Sequence, residues 1–192
     1  MKQLESLFWG AIAALGALFL ELILANISLF STANMRQSIL GAVSLPAVVL
    51  GAALIEESFK YLIISRRISL FSLGRSHITN ALLCGAGFAT VELLLSSLGN
   101  SLSQASAFQI FSLAALHMLT SAYLGYRIAT KPLRSPFSVL QILALATLFH
   151  TVFNMLISLP EDTATTATAL LLSLLALRTA WDLLRIKRVL AH

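Results

Sequence analysis

The sequence predicts an all-α fold: a polytopic bundle of about six transmembrane helices with both termini on the cytoplasmic side. Three observations lead there. Of 192 residues, 58% are hydrophobic and only 11% are charged, whereas a soluble domain carries about 25% charged residues. The mean hydropathy is +0.88. The basic residues gather at alternate ends of the apolar runs, as they do in the cytoplasmic loops of membrane proteins. The net charge of +5 therefore reads as a membrane orientation signal, and no nucleic-acid partner is expected. Cys84 is the only cysteine, which excludes an intrachain disulfide and a cysteine-based metal cage.

Six runs are long enough to cross a hydrocarbon core of about 30 Å, which takes about twenty helical residues. The first, 7–29, follows Lys2 and is longer than the h-region of a cleavable signal peptide, so it is expected to be retained. The second, 38–65, contains Pro46, which removes one backbone hydrogen bond and is expected to kink the helix. The remaining runs are 78–98, 107–128, 137–159 and 166–184. Connections are short, so residues 1–192 read as a single integral membrane domain with a core over about 38–159. Arg66, Arg67 and Arg75 follow the second run; Arg127, Lys131 and Arg134 follow the fourth; Arg185, Lys187 and Arg188 follow the sixth. The opposite connections hold Arg36, then no basic residue, then Glu161 and Asp162, which sets the cytoplasmic side.

Against this background GAALIEESFKYLIISRR (51–67) stands out. One charged residue at the centre of a membrane helix costs about 2.5–3.5 kcal/mol on the mildest scale. Glu56, Glu57 and Lys60 all occupy one such run. At 1.5 Å per residue, Glu57 lies roughly 13 Å in from Arg66 and His117 roughly 15 Å in from Arg127. Glu92 lies roughly 22 Å in from His77, and His150 roughly 20 Å in from Phe137. Four helices thus bring ionisable groups to the middle of the membrane, where such residues face the bundle interior and mark functional sites.

Spacing refines the picture. Glu56 and Lys60 are four apart and share a face, as do Phe88 and Glu92, and His150 and Asn154. Lys60 is placed to pair with Glu56, while Glu57 is rotated by about 100° from its neighbour. One of the two acids is expected to act in chemistry and the other to orient a neighbour; which is which stays open. Glu92, His117 and His150 make a His₂Glu set, a catalytic zinc arrangement that leaves a position for water. Glu56 or Glu57 is then the general base. In a metal-free alternative, Glu56 activates water directly while His150 and Asn154 donate to the oxyanion. Glu21 and the pair Arg178–Asp182 read as structural, as do Gly85 and Gly87, which permit close helix approach.

EESFK (56–60), GFATVE (87–92), HMLTSAYLG (117–125) and HTVFN (150–154) resemble, in order and helix placement, the four motifs of PrsW-type intramembrane proteases. That family shares a broad clan with the type II CAAX prenyl endopeptidases. The resemblance implies a multi-pass protease of a prokaryotic cell membrane that cleaves a membrane-anchored protein, such as an anti-sigma factor, among membrane lipids. By motif match, Glu56, Glu57, Glu92, His117, His150 and Asn154 form the catalytic set, with Zn2+ as the candidate metal. Leu93 stands where the family often has Asn. Two other functions compete: a non-catalytic membrane scaffold of the same clan, and a small proton-coupled transporter. The full set of acids and histidines speaks against the first, and the lack of inverted repeats against the second.

Overall fold

The computed structural model describes residues 2–32, 41–98, 106–130 and 136–189. The start of the second expected span, Arg36, Lys131, Arg134 and His192 lie outside the described residues, as do the side chains of Pro46, Lys187 and Arg188. The chain forms α1 (Lys2–Thr32), α2 (Gly41–Ile63), a π-helical turn (Ile64–Ile68), a short α3 (Ser69–Phe71), α4 (Gly74–Leu98), α5 (Ala107–Thr130), α6 (Pro136–Leu156) and α7 (Glu161–Val189). Strands are absent among the described residues. Among the described residues, five helices, α1, α4, α5, α6 and α7, are long and apolar enough to cross a membrane. The ionisable helix α2 packs against α1 and α6.

The second run extends past residue 65, its expected end. A π-helical turn carries Arg66 and Arg67 and leads directly into α3. The Arg67 guanidinium rests 4.8 Å above the Trp9 ring, which ties this turn to the start of α1. The break comes at Ser72, whose backbone is extended, and at Gly74, whose φ of 58° lies in the left-handed region open to glycine.

Burial is inverted relative to a water-soluble protein. Glu57, Lys60 and His117 are fully buried, while Phe19 (67% exposed), Phe111 (71%) and Leu177 (69%) point outward. An apolar exterior costs nothing when the surrounding medium is hydrocarbon, so such a bundle keeps its polar groups inside. A central apolar cluster joins Ala13 and Ala17 of α1, Ile64 of the π-turn, Cys84 of α4, Leu124 of α5 and Ala146 of α6.

Close helix approach rests on small residues, because helices in lipid associate by packing alone. A Cβ at Gly10 of α1 would collide with the Cys84 carbonyl of α4, and one at Gly87 would collide with the Leu7 carbonyl. A Cβ at Gly85 would meet the His117 carbonyl of α5. The backbones of α4 and α5 are therefore in contact at the level of His117, and this contact carries the imidazole into the bundle centre.

Candidate active site

Four helices contribute to one buried polar cluster: α2 (Glu56, Glu57, Lys60), α4 (Glu92), α5 (His117, Thr120) and α6 (His150). Lys60 is its hub. The Nζ lies 2.5 Å from Glu57 Oε1, 3.1 Å from His117 Nδ1 and 3.2 Å from Thr120 Oγ1. It is also 5.0 Å from the centroid of the Phe88 ring. The expected Lys60–Glu56 pair is thus replaced by Lys60–Glu57. Residues three and four apart share a helix face, and here the three-residue partner also faces His150 and Thr120.

Glu57 Oε1 accepts from Lys60, from His150 Nδ1 at 2.8 Å and from Thr120 at 3.3 Å. A carboxylate only accepts, so His150 carries its proton on Nδ1 and presents the Nε2 lone pair. That Nε2 is 3.7 Å from Glu56 Oε2. An ammonium only donates, so His117 Nδ1 accepts from Lys60 and the ring proton sits on Nε2. His117 Nε2 lies 2.5 Å from Glu92 Oε2 without the alignment of a hydrogen bond. Phe88 stacks on the His117 ring at 4.9 Å, and the two imidazoles meet edge-on at 5.1 Å.

Glu56, His117 and His150 each offer a ligand atom within 4.8 Å of the others. The acid in this group is Glu56. Glu92, the acid expected there, instead abuts His117 Nε2, with its side chain 34% exposed. Two features make the group suited to a divalent cation. Glu56 Oε2 is buried without a hydrogen-bond partner among the described residues, and a buried polar atom left alone is costly. The cluster also sets three carboxyl groups against a single lysine in a low-dielectric interior.

Asn154 stands one turn along α6 from His150 and is half-buried, with no hydrogen bond to a described residue. The expected ion pair between Arg178 and Asp182 is present at 3.2 Å, away from the cluster. Two residues belong to the site region without having been singled out as functional. Thr120 joins Lys60 to Glu57, and its spacing of three from His117 is the signal that marks it. Glu21 lines a cavity together with Glu56, Phe88 and Glu92. Its spacing of seven and four from the buried Ala14 and Ala17 puts it on the inward face of α1.

No curated protein and no solved structure matches the chain. The model of the PrsW family intramembrane metalloproteases matches residues 3–180, nearly the whole chain. The chain therefore belongs to the PrsW family of intramembrane metalloproteases and is a multi-pass membrane protease.

Proposed function

We propose that the protein is an endopeptidase of a prokaryotic plasma membrane, with both termini cytoplasmic, that hydrolyses a peptide bond in a membrane-anchored protein of the anti-sigma-factor kind. The observation that carries this reading is the meeting of Glu56, His117 and His150 around one point, with Glu57 bracing His150 from the side away from Glu56. The loop charges support the orientation.

In this reading Glu56, His117 and His150 would hold the metal, His117 through its Nδ1 once Lys60 gives up that lone pair and keeps to Glu57 and Thr120. Glu57 fixes the His150 tautomer, as outer carboxylates do for ligating imidazoles. Zn2+ suits the imidazole and carboxylate donors. A metal bound there would supply Lewis-acid polarisation of the scissile carbonyl and acidify water. Glu57 is fully buried, does not line the cavity, and spends its Oε1 on three hydrogen bonds. Glu92, partly exposed toward the cavity, is the carboxylate free to act as general base. It takes a proton from water as the water oxygen adds to the amide carbon. It then returns that proton to the leaving nitrogen as the C–N bond breaks. Asn154, on the same face as His150, is the donor for the developing oxyanion.

The test uses purified protein in proteoliposomes with a single-span, membrane-anchored reporter. Glu56→Gln, Glu92→Gln and His150→Ala are each expected to abolish cleavage while helical content and insertion stay unchanged. Cleavage that persists in Glu56→Gln and His150→Ala would remove the site from the reaction.

A further inference from the structure

The backbones of α1 and α4 touch near Gly10 and Gly87. Over the next two to three turns they are separated by a cavity of about 90 Å³. Its walls are mainly apolar, from Ala14, Ala17 and Leu18 on α1 and Phe88, Val91 and Leu95 on α4. Three carboxylates, Glu21, Glu56 and Glu92, break this lining. Glu21 Oε1 and Glu56 Oε2 are both buried, and no group among the described residues hydrogen-bonds to either. Buried oxygens of this kind are satisfied by ordered water when a cavity has room. A water needs about 10–15 Å³ of such space, so this cavity admits several. Leu18 or Leu95 alone would leave the passage dry, since cavities lined only by aliphatic groups stay empty.

We propose that Glu21 is a positioning residue of the hydrolytic site, anchoring the outer end of a water file that runs between α1 and α4 to Glu56 and Glu92. The proposal rests on the hydrolase reading above and adds to it a route for the second substrate, water. Glu21 touches neither imidazole; its influence passes through the water it holds. A single-span substrate surrounded by lipid brings no water of its own, so the site depends on such a supply.

Substituted-cysteine labelling tests the file without reference to proteolysis. In full-length Cys84→Ala protein in proteoliposomes, Leu18→Cys lines the cavity, while Phe19→Cys faces lipid. A small charged methanethiosulfonate reagent is expected to modify Leu18→Cys at least about tenfold faster than Phe19→Cys, because reaction requires a hydrated thiolate. Adding Glu21→Leu to Leu18→Cys is expected to remove most of that difference. In the cleavage assay, Glu21→Leu is expected to lower kcat about tenfold, the scale of one lost hydrogen bond, with KM and metal content unchanged. Glu21→Gln, which still hydrogen-bonds water, should recover part of the rate. Equal labelling of Leu18→Cys with and without Glu21 would overturn the proposal, as would loss of metal from Glu21→Leu. Labelling that follows Glu21 in a protein without peptidase activity would instead count against the protease reading alone.

Discussion

His150 Nδ1 and Glu57 Oε1 stand 2.8 Å apart, joining α6 to α2 at the centre of the bundle. Through this contact the two adjacent acids of EESFK take different tasks. Glu57 faces the Nδ1 side of His150, and Glu56 faces its open Nε2 side. Removing Glu57 should therefore damage the site without removing a ligand. Glu57→Ala is expected to weaken metal affinity about 10–100-fold, the usual cost of losing an outer-sphere partner. Competition titration against a chelator measures this, and an unchanged affinity would show that His150 is oriented by something else.

Lys60 and Glu57 are both fully buried and in contact. Deleting one member of such a pair leaves an uncompensated charge and costs about 3–5 kcal/mol. Lys60→Met is accordingly expected to be strongly destabilising in micellar unfolding. Lys60→Met combined with Glu57→Gln should be markedly more stable than Lys60→Met alone. Strict additivity of the two single effects would mean that the pair is not energetically coupled.

Metal dependence has a direct check. Protein purified without added metal should contain close to one equivalent of a divalent metal by elemental analysis. Activity should vanish on chelation and return with Zn2+. Full activity after complete removal would point to the metal-free route, in which Glu56 activates water itself.

Two glycines form an internal comparison. Gly85→Ala drives a methyl group into the His117 carbonyl. It should cost about 1–3 kcal/mol, as overpacking does, and lower activity by displacing His117. At Gly51 an added Cβ meets nothing within 4 Å. There, Gly51→Ala should stabilise α2 by about 0.5–1 kcal/mol through helix propensity. Similar effects at both positions would indicate that the α4–α5 contact is not tight.

Much of this molecule is legible before any coordinates are known. The scarcity of charge identifies the solvent as lipid, and run lengths locate the helices. The depth of each polar residue follows from a rise of about 1.5 Å per residue. Placing Glu57, His117 and His150 on separate helices at similar depth needs no tertiary information. Gly85 and Gly87 are recognisable as contact points because small residues are what membrane helices use to approach.

Partnerships are a different matter. Spacing allows Lys60 to reach either Glu56 or Glu57, and only the position of α5 and α6 around α2 selects Glu57. Sequence reading groups Glu92 with the two histidines; the rotation of α2 and α4 puts Glu56 there and Glu92 beside His117 Nε2. Glu21 reads as an isolated acid until α1 is laid against α4. Sequence by itself determined the medium, the helices, and the face and height of each polar side chain. Tertiary structure alone decided which of them meet, because periodicity is a property of one helix and a contact depends on how two helices are turned toward each other.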